Sequence, residues 1–145
     1  MKALLDKLFG VAEQINGDGR CPTYLYRWVL LKTRWGKLYV HKFVGDDWSR
    51  DLHDHPKRFV SIGLWGSYVE ETPEGFRRWR APWVRWFPAV HKHRLTTPYG
   101  HCWTILWVGR VEREWGFWHD GIFYPWQDYV WGKDSAIADK MKACE

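Results

Sequence analysis

The chain has 145 residues, 27% charged and 46% hydrophobic, which is enough for a packed core without disulfide staples and too apolar for a disordered chain. Its formal charge is +5, and its outlying feature is tryptophan, with 13 copies in a sequence that is 19% aromatic. Large rings favour strands and pocket walls, so the composition leans towards a β-rich protein with a ring-lined interior.

The charge is unevenly spread. No Asp or Glu occurs between Gly75 and Val111, where Arg77, Arg78, Arg80, Arg85, Lys92, Arg94 and Arg110 stand. A local excess of this kind points to an anionic partner or substrate, the ordinary alternative being the solvated outer face of strands. The longest run without Asp, Glu, Lys or Arg is Leu95 to Gly109, 15 residues, short of the roughly 20 a membrane helix needs. Met1 to Asn16 is broken by Asp6, Lys7 and Glu13 and has no signal-peptide core. Cys21, Cys102 and Cys144 show no metal or redox spacing, so a reducing, cytoplasmic setting without a disulfide framework is expected.

In chain order, Leu4, Leu5, Leu8, Phe9, Ala12 and Ile15 recur at helical spacing and predict an amphipathic helix over residues 1–16, ended by Asn16-Gly17-Asp18-Gly19. Strands are predicted at 23–33, 37–43, 59–64, 67–71, 76–80, 84–87, 93–96, 102–108 and 112–118. Turn residues separate them, among them Trp65-Gly66, Thr72-Pro73-Glu74-Gly75 and Thr97-Pro98-Tyr99-Gly100. An aromatic tail follows from His119, expected to wrap over the strands, and a second short helix is predicted from Ser135 to about Ala143. Many short strands with Gly and Pro between them mean a sandwich or barrel. A single domain over 1–145 is expected, with a barrel core over about 23–118.

Histidine carries the chemistry. His53-Asp54-His55 and His91-Lys92-His93 are two tight pairs. Residues two apart on a strand share a face, so His53 and His55 can offer two imidazoles to one point, and a third from a neighbouring strand would complete a facial set with open positions. Imidazole suits Fe(II), Zn, Cu, Ni or Mn alike. His41 lies on a predicted strand and is a candidate for lining the cavity. Asp51, two residues before His53, could orient a ligand imidazole. Glu70 is a candidate fourth ligand or general base if it faces inward, and His91 a candidate replacement for His93 or addition to it. No Ser-His-Asp order, phosphate loop or Cys-His pairing stands out.

The spacing His53-x-His55, then position 59, then Gly66, followed by Pro88 with His93 five residues on, resembles the two motifs of the cupin superfamily over about Tyr39 to Phe117. The resemblance implies a mainly β fold, a single small jelly-roll β-barrel with short N- and C-terminal helices, and one divalent transition metal held by His53, His55 and His93. Phe59 stands where cupins often place a metal-binding Glu, Val90 where the second motif has Gly, and Thr97 where it has Asn. The remaining three-His set looks like that of cupin thiol dioxygenases, which favours Fe(II). Leu52 to Pro56 with His93-Arg94 also resembles small bacterial and phage cupins carrying Leu-His-Asp-His-Pro and a later His-Arg. Cupins are often dimers, which makes a homodimer the assembly the resemblance implies.

A metal enzyme would fix a small acid through guanidinium forks, and Arg58, Arg78, Arg80, Arg85 and Arg94 are the candidate anchors. The expected function is a metal-dependent, Fe(II) dioxygenase-like enzyme acting on a small anionic molecule. Alternatives are a non-redox isomerase or lyase at the same site, or a non-catalytic module for a small ligand. Arg77-Arg78-Trp79-Arg80 with Trp83 and Trp86 interleaves bases and rings as single-strand platforms do, but nucleic acid is not the expected partner.

Overall fold

The computed structural model describes residues 1–16 and 21–131. Helix α1 (Lys2–Phe9) is followed by strands β1 (Glu13–Ile15), β2 (Leu25–Lys32), β3 (Lys37–Phe43), β4 (Leu52–His53), β5 (Phe59–Trp65) and β6 (Ser67–Thr72). Then come β7 (Gly75–Arg80), β8 (Trp83–Phe87), β9 (Arg94–Thr96), β10 (Cys102–Val108), β11 (Gly116–His119), β12 (Ile122–Pro125) and α2 (Trp126–Trp131). A six-stranded sheet runs β1-β2-β3-β10-β5-β8, and two three-stranded sheets run β7-β6-β9 and β12-β11-β4. Every strand pair is antiparallel. The protein is thus mainly β with two short helices, as the sequence predicts.

Local chemistry sets these elements. The β2–β3 hairpin closes on Thr33, whose hydroxyl accepts the backbone N–H groups of Trp35 and Gly36. This gives the turn its own hydrogen bonds while Leu25 meets Phe43 and Arg27 meets His41 across the ladder. Gly66 joins β5 to β6 at φ +83°, and a Cβ there would lie 2.1 Å from the carbonyl oxygen of His101, so only glycine fits.

The six-stranded sheet uses both faces. Its outer side buries Trp28, Val40 and Trp103, with Trp28 and Trp103 stacked at 5.7 Å. Helix α1 lies over this side and ties down through Asp6, which accepts the Trp28 indole N–H at 2.9 Å. The inner side turns His41, Phe43, Phe59, Thr104 and Leu106 towards a cavity. Most tryptophans therefore serve outer packing or stay exposed. Of the described ones, Trp48 and Trp115 line the cavity, so the expected ring-lined interior is built mainly from Phe and Tyr.

Three boundaries differ from expectation. The helical stripe from Leu4 to Ile15 is not one helix. Gly10 takes φ +83°, and Glu13–Ile15 pair with β2 as a sheet edge. Strand 112–118 starts only at Gly116, because the backbone N–H groups of Glu112 and Arg113 turn to the carbonyl of Pro56. The tail, expected to wrap over the strands with its rings buried against them, also forms β12 and α2, with Tyr129 stacked on Phe117 at 3.9 Å. The helix predicted at Ser135–Ala143 lies outside the described residues. Cys102 is a free, buried thiol. No helix among the described residues is long and apolar enough to cross a membrane.

Candidate metal centre

His53 and His93 are brought together by backbone pairing. Each N–H donates to the other's carbonyl at 2.9 Å, in an isolated antiparallel bridge beside β4. On its other side β4 pairs with β11, placing His53 opposite Phe117. His55 lies just past the strand, held by its N–H donating to the carbonyl of Ala89 at 3.0 Å. Asp54, between the two histidines, points the other way. It is 1% exposed and accepts from the Gly116 N–H, the Trp118 indole and Arg113. The alternation read from His-x-His is therefore enforced by a buried carboxylate on the opposite face.

The side chains of His53, His55 and His93 converge, with one ring nitrogen from each within 4.8 Å of the others. Nε2 of His55 and Nε2 of His93 are 2.8 Å apart. Glu70 fixes the tautomer behind this pair. Its Oε1 accepts from Nδ1 of His93 at 2.9 Å and from Nε2 of His91 at 2.8 Å. Its Oε2 accepts from the Trp79 indole at 2.8 Å and pairs with Arg85 at 2.7 Å. A proton held on Nδ1 leaves Nε2 of His93 as a lone pair aimed at His55. Burial alone would raise the Glu70 pKa, but the His91 and His93 hydrogen bonds and the Arg85 charge hold it well below the usual carboxylate range.

The histidines themselves are kept neutral. Burial pushes His53 and His55 well below 6.5, with neighbouring imidazoles adding to the effect, and His93 is lowered for the same first reason. Phe59 packs edge-on against His55 at 4.8 Å, and Phe87 tilts against His93 at 5.8 Å. Asp47 faces Nδ1 of His53 at 3.7 Å, and its own carboxyl is pushed by burial up to about 7. Three neutral imidazoles that each bring one ring nitrogen to the same point are a donor set that fits a divalent transition metal once the proton shared between His55 and His93 is displaced. A second group, Glu70 with His91 and His93, also meets the distance condition for a metal, but there the carboxylate already carries four donors.

The cavity beside the centre has a volume of about 370 Å³, within the range of small-molecule sites. His41 and Phe59 line it, as do Arg27 and Lys57. The arginine candidates lie elsewhere. Arg58 pairs with Glu112 in an exposed position. Arg78 lies 3.6 Å over the Tyr99 ring, and Arg94 bonds the Ser49 carbonyl and Glu71. Arg80 is exposed on β7. Arg85 sits between Glu70, Tyr68 and the Trp79 ring, behind His93 rather than in the cavity. Asp51 meets His119 and the Tyr129 hydroxyl, away from the three imidazoles. The Arg77–Arg80 strand covers its own ring, with Arg77 4.1 Å from the Trp79 centroid.

Sequence reasoning missed Arg27, Asp47 and Thr104. A signal existed for Arg27, which alternates with Leu25 on an otherwise apolar strand face. None existed for Asp47, placed by its backbone N–H donating to the Leu95 carbonyl.

No protein-family model matches the sequence, and no curated protein matches it. Solved structures do. A polyketide cyclase, RemF of Streptomyces resistomycificus, matches at TM-score 0.59 and 12% identity, over 88% of this chain and 93% of that one. The DMSP lyase DddQ of Ruegeria pomeroyi matches at 0.57 and 18%, over 73% and 60%. A cupin domain of Bordetella pertussis matches at 0.50 and 17%, over 63% and 98%. With its antiparallel sheets around a histidine-lined cavity, the chain has the cupin fold.

Proposed function

We propose that this protein is a metal-dependent enzyme that binds one divalent transition metal through His53, His55 and His93 and acts on a small anionic molecule. The observation that carries the reading is the 2.8 Å approach of the His55 and His93 Nε2 atoms, with Glu70 holding the proton of His93 on its far nitrogen. When bound, the metal would supply Lewis acidity at open positions and, if it is Fe(II), access to oxygen chemistry. Three neutral ligands leave its charge uncompensated, which favours an anionic group from the substrate. The protein's own part is to orient the imidazoles, exclude bulk water with Phe59, Phe87 and Phe117, and present Arg27 and Lys57 to a negative charge.

Fe(II) is the favoured ion and dioxygenation the first reaction to test. A non-redox isomerase or lyase reaction is the second reading, favoured by the cyclase and lyase named among the structural neighbours. Elemental analysis after anaerobic Fe(II) and Zn(II) loading tests the centre. One ion per chain is expected in the native protein, and its full retention in His53→Ala, His55→Ala and His93→Ala would overturn the assignment. Turnover without oxygen, on any acid found to bind, separates the two reactions.

A further inference from the structure

The outer face of the six-stranded sheet is covered by the chain itself on one half only. There Leu5 of α1 and Ala12 pack on Trp28, Val40 and Trp103. The other half is formed by β10, β5 and the edge strand β8. It carries two apolar rows across the ladder, Trp86–Val60–Trp107 and Val84–Ile62–Ile105, each made of register partners. Directly opposed residues of an antiparallel ladder share a face. Their sequence neighbours Phe59, Ser61 and Leu106 point the other way and line the cavity.

Much of this half stands in water. Val84 is 74% exposed, Trp86 60%, Ile62 38% and Trp107 37%, and Trp65 beside Trp103 adds a further ring at 62%. A large ring presents about 150–250 Å², so on the order of 500 Å² of apolar surface is uncovered here. That is a patch of the size at which a surface has a binding use. It is also more than half of the roughly 800 Å² that a stable complex takes from each partner.

Charge indicates which partner. Strands β5, β8 and β10 hold a single charged residue, Arg85, and it turns inward to Glu70. Opposed charges are what steer and select an unlike protein, and this face has none. A core without charges is typical of homodimer interfaces. A second copy also matches by symmetry, because a two-fold contact sets the same patch against itself.

We infer that this face is the interface of a homodimer, in which the β10-β5-β8 faces of two copies pack together around a two-fold axis. Trp86, Val84 and Ile62 of each copy are buried in it. The cavity lies on the opposite side of the same sheet, so the inference stands apart from the proposed metal centre.

Sedimentation velocity of the full chain, at about 1 to 100 μM, tests it. The native protein should sediment at twice the 17.5 kDa mass of the chain. Trp86→Glu and Val84→Lys should each weaken the dimer about 30-fold or more, as loss of a central anchor does. Both side chains are exposed in the single chain, so circular dichroism of the two variants should match the native spectrum. Val11→Lys is the control, at a residue 84% exposed that precedes β1 at the opposite edge of the sheet, and it should leave the dimer intact. A native chain that stays monomeric throughout, or a dimer that survives both substitutions, overturns the interface. So does a dimer that Val11→Lys dissociates as strongly as Trp86→Glu. A monomer that floats with phosphatidylcholine vesicles, and loses this in Trp86→Glu, assigns the face to lipid and overturns the homodimer.

Discussion

His53 and His93, 40 positions apart in sequence, exchange both backbone hydrogen bonds at 2.9 Å, and this one bridge brings the two imidazole clusters together. Neither residue could reach the other through side-chain choice alone. The bridge is flanked by β11 on one side, where Phe117 faces His53. The geometry of the candidate centre is therefore a property of strand pairing.

Metal should stabilise the fold through this bridge. A ligand at 100 times its dissociation constant adds about 2.7 kcal/mol. Zn(II) or Fe(II) under anaerobic conditions should raise the melting temperature of the native chain and leave that of His53→Ala, His55→Ala and His93→Ala nearly unmoved. Differential scanning fluorimetry with and without chelator reads the difference.

Glu70 acts from behind the imidazoles. Glu70→Gln keeps the size of the side chain but removes the charge that His91, His93 and Arg85 share. Metal affinity should fall about 10- to 100-fold, the usual cost of losing an outer carboxylate partner. Stability should fall by about 1–3 kcal/mol, because the partly exposed Arg85 and the two histidines lose a charged hydrogen-bond partner. Competition against a fluorescent chelator measures the first, and urea unfolding the second.

Asp54 should prove as important to the centre as a ligand, although it faces away from it. Asp54→Ala strands a backbone N–H, an indole N–H and Arg113. A loss of about 2–4 kcal/mol is expected for a buried network of this kind. Because those bonds tie β4 to β11, metal uptake should weaken too. Unfolding curves and metal content of the same preparation decide it.

Stability of the metal-free protein should fall on acidification. The folded pKa of His41 lies well below 6.5, so below about pH 6.5 the unfolded chain binds a proton that the folded chain excludes. Above that pH the contribution is flat. Below it, each pH unit costs up to about 1.4 kcal/mol until the depressed folded value is reached. His41→Phe should give a shallower fall of melting temperature between pH 6.5 and 4.5. An unchanged slope would show that His41 does not exclude the proton.

Cys102 is fully buried and its thiol is pushed by burial up to about 12. Alkylation by iodoacetamide at pH 8 should spare it in the native protein and reach it in guanidinium, as mass spectrometry of the peptide would show.

Much of this was legible in the residues. Alternation and turn chemistry gave strands 37–43 and 102–108 their bounds, because a half-buried strand repeats every two residues and its turns need Gly or Pro. The spacing from His53 through Gly66 to His93 carried the cupin resemblance, and Gly66 occupies a position where a Cβ would strike the His101 carbonyl. His-x-His put two imidazoles on one side, with Asp54 on the other. These are local properties, set by geometry within a few residues.

What only the tertiary structure decided is which distant groups share a space. Position beside the histidine pair singled out Arg58, and charge density along the chain Arg78, Arg80, Arg85 and Arg94, yet pairing sent them to Glu112, Tyr99, solvent, Glu70 and Glu71 respectively. Among the described residues the cations lining the cavity are Arg27 and Lys57, and two of the buried polar atoms without a partner, at His41 and Thr104, are on β3 and β10. Strand register fixed that outcome, since a shift of one residue would have turned His41 and Thr104 to the other face of the sheet.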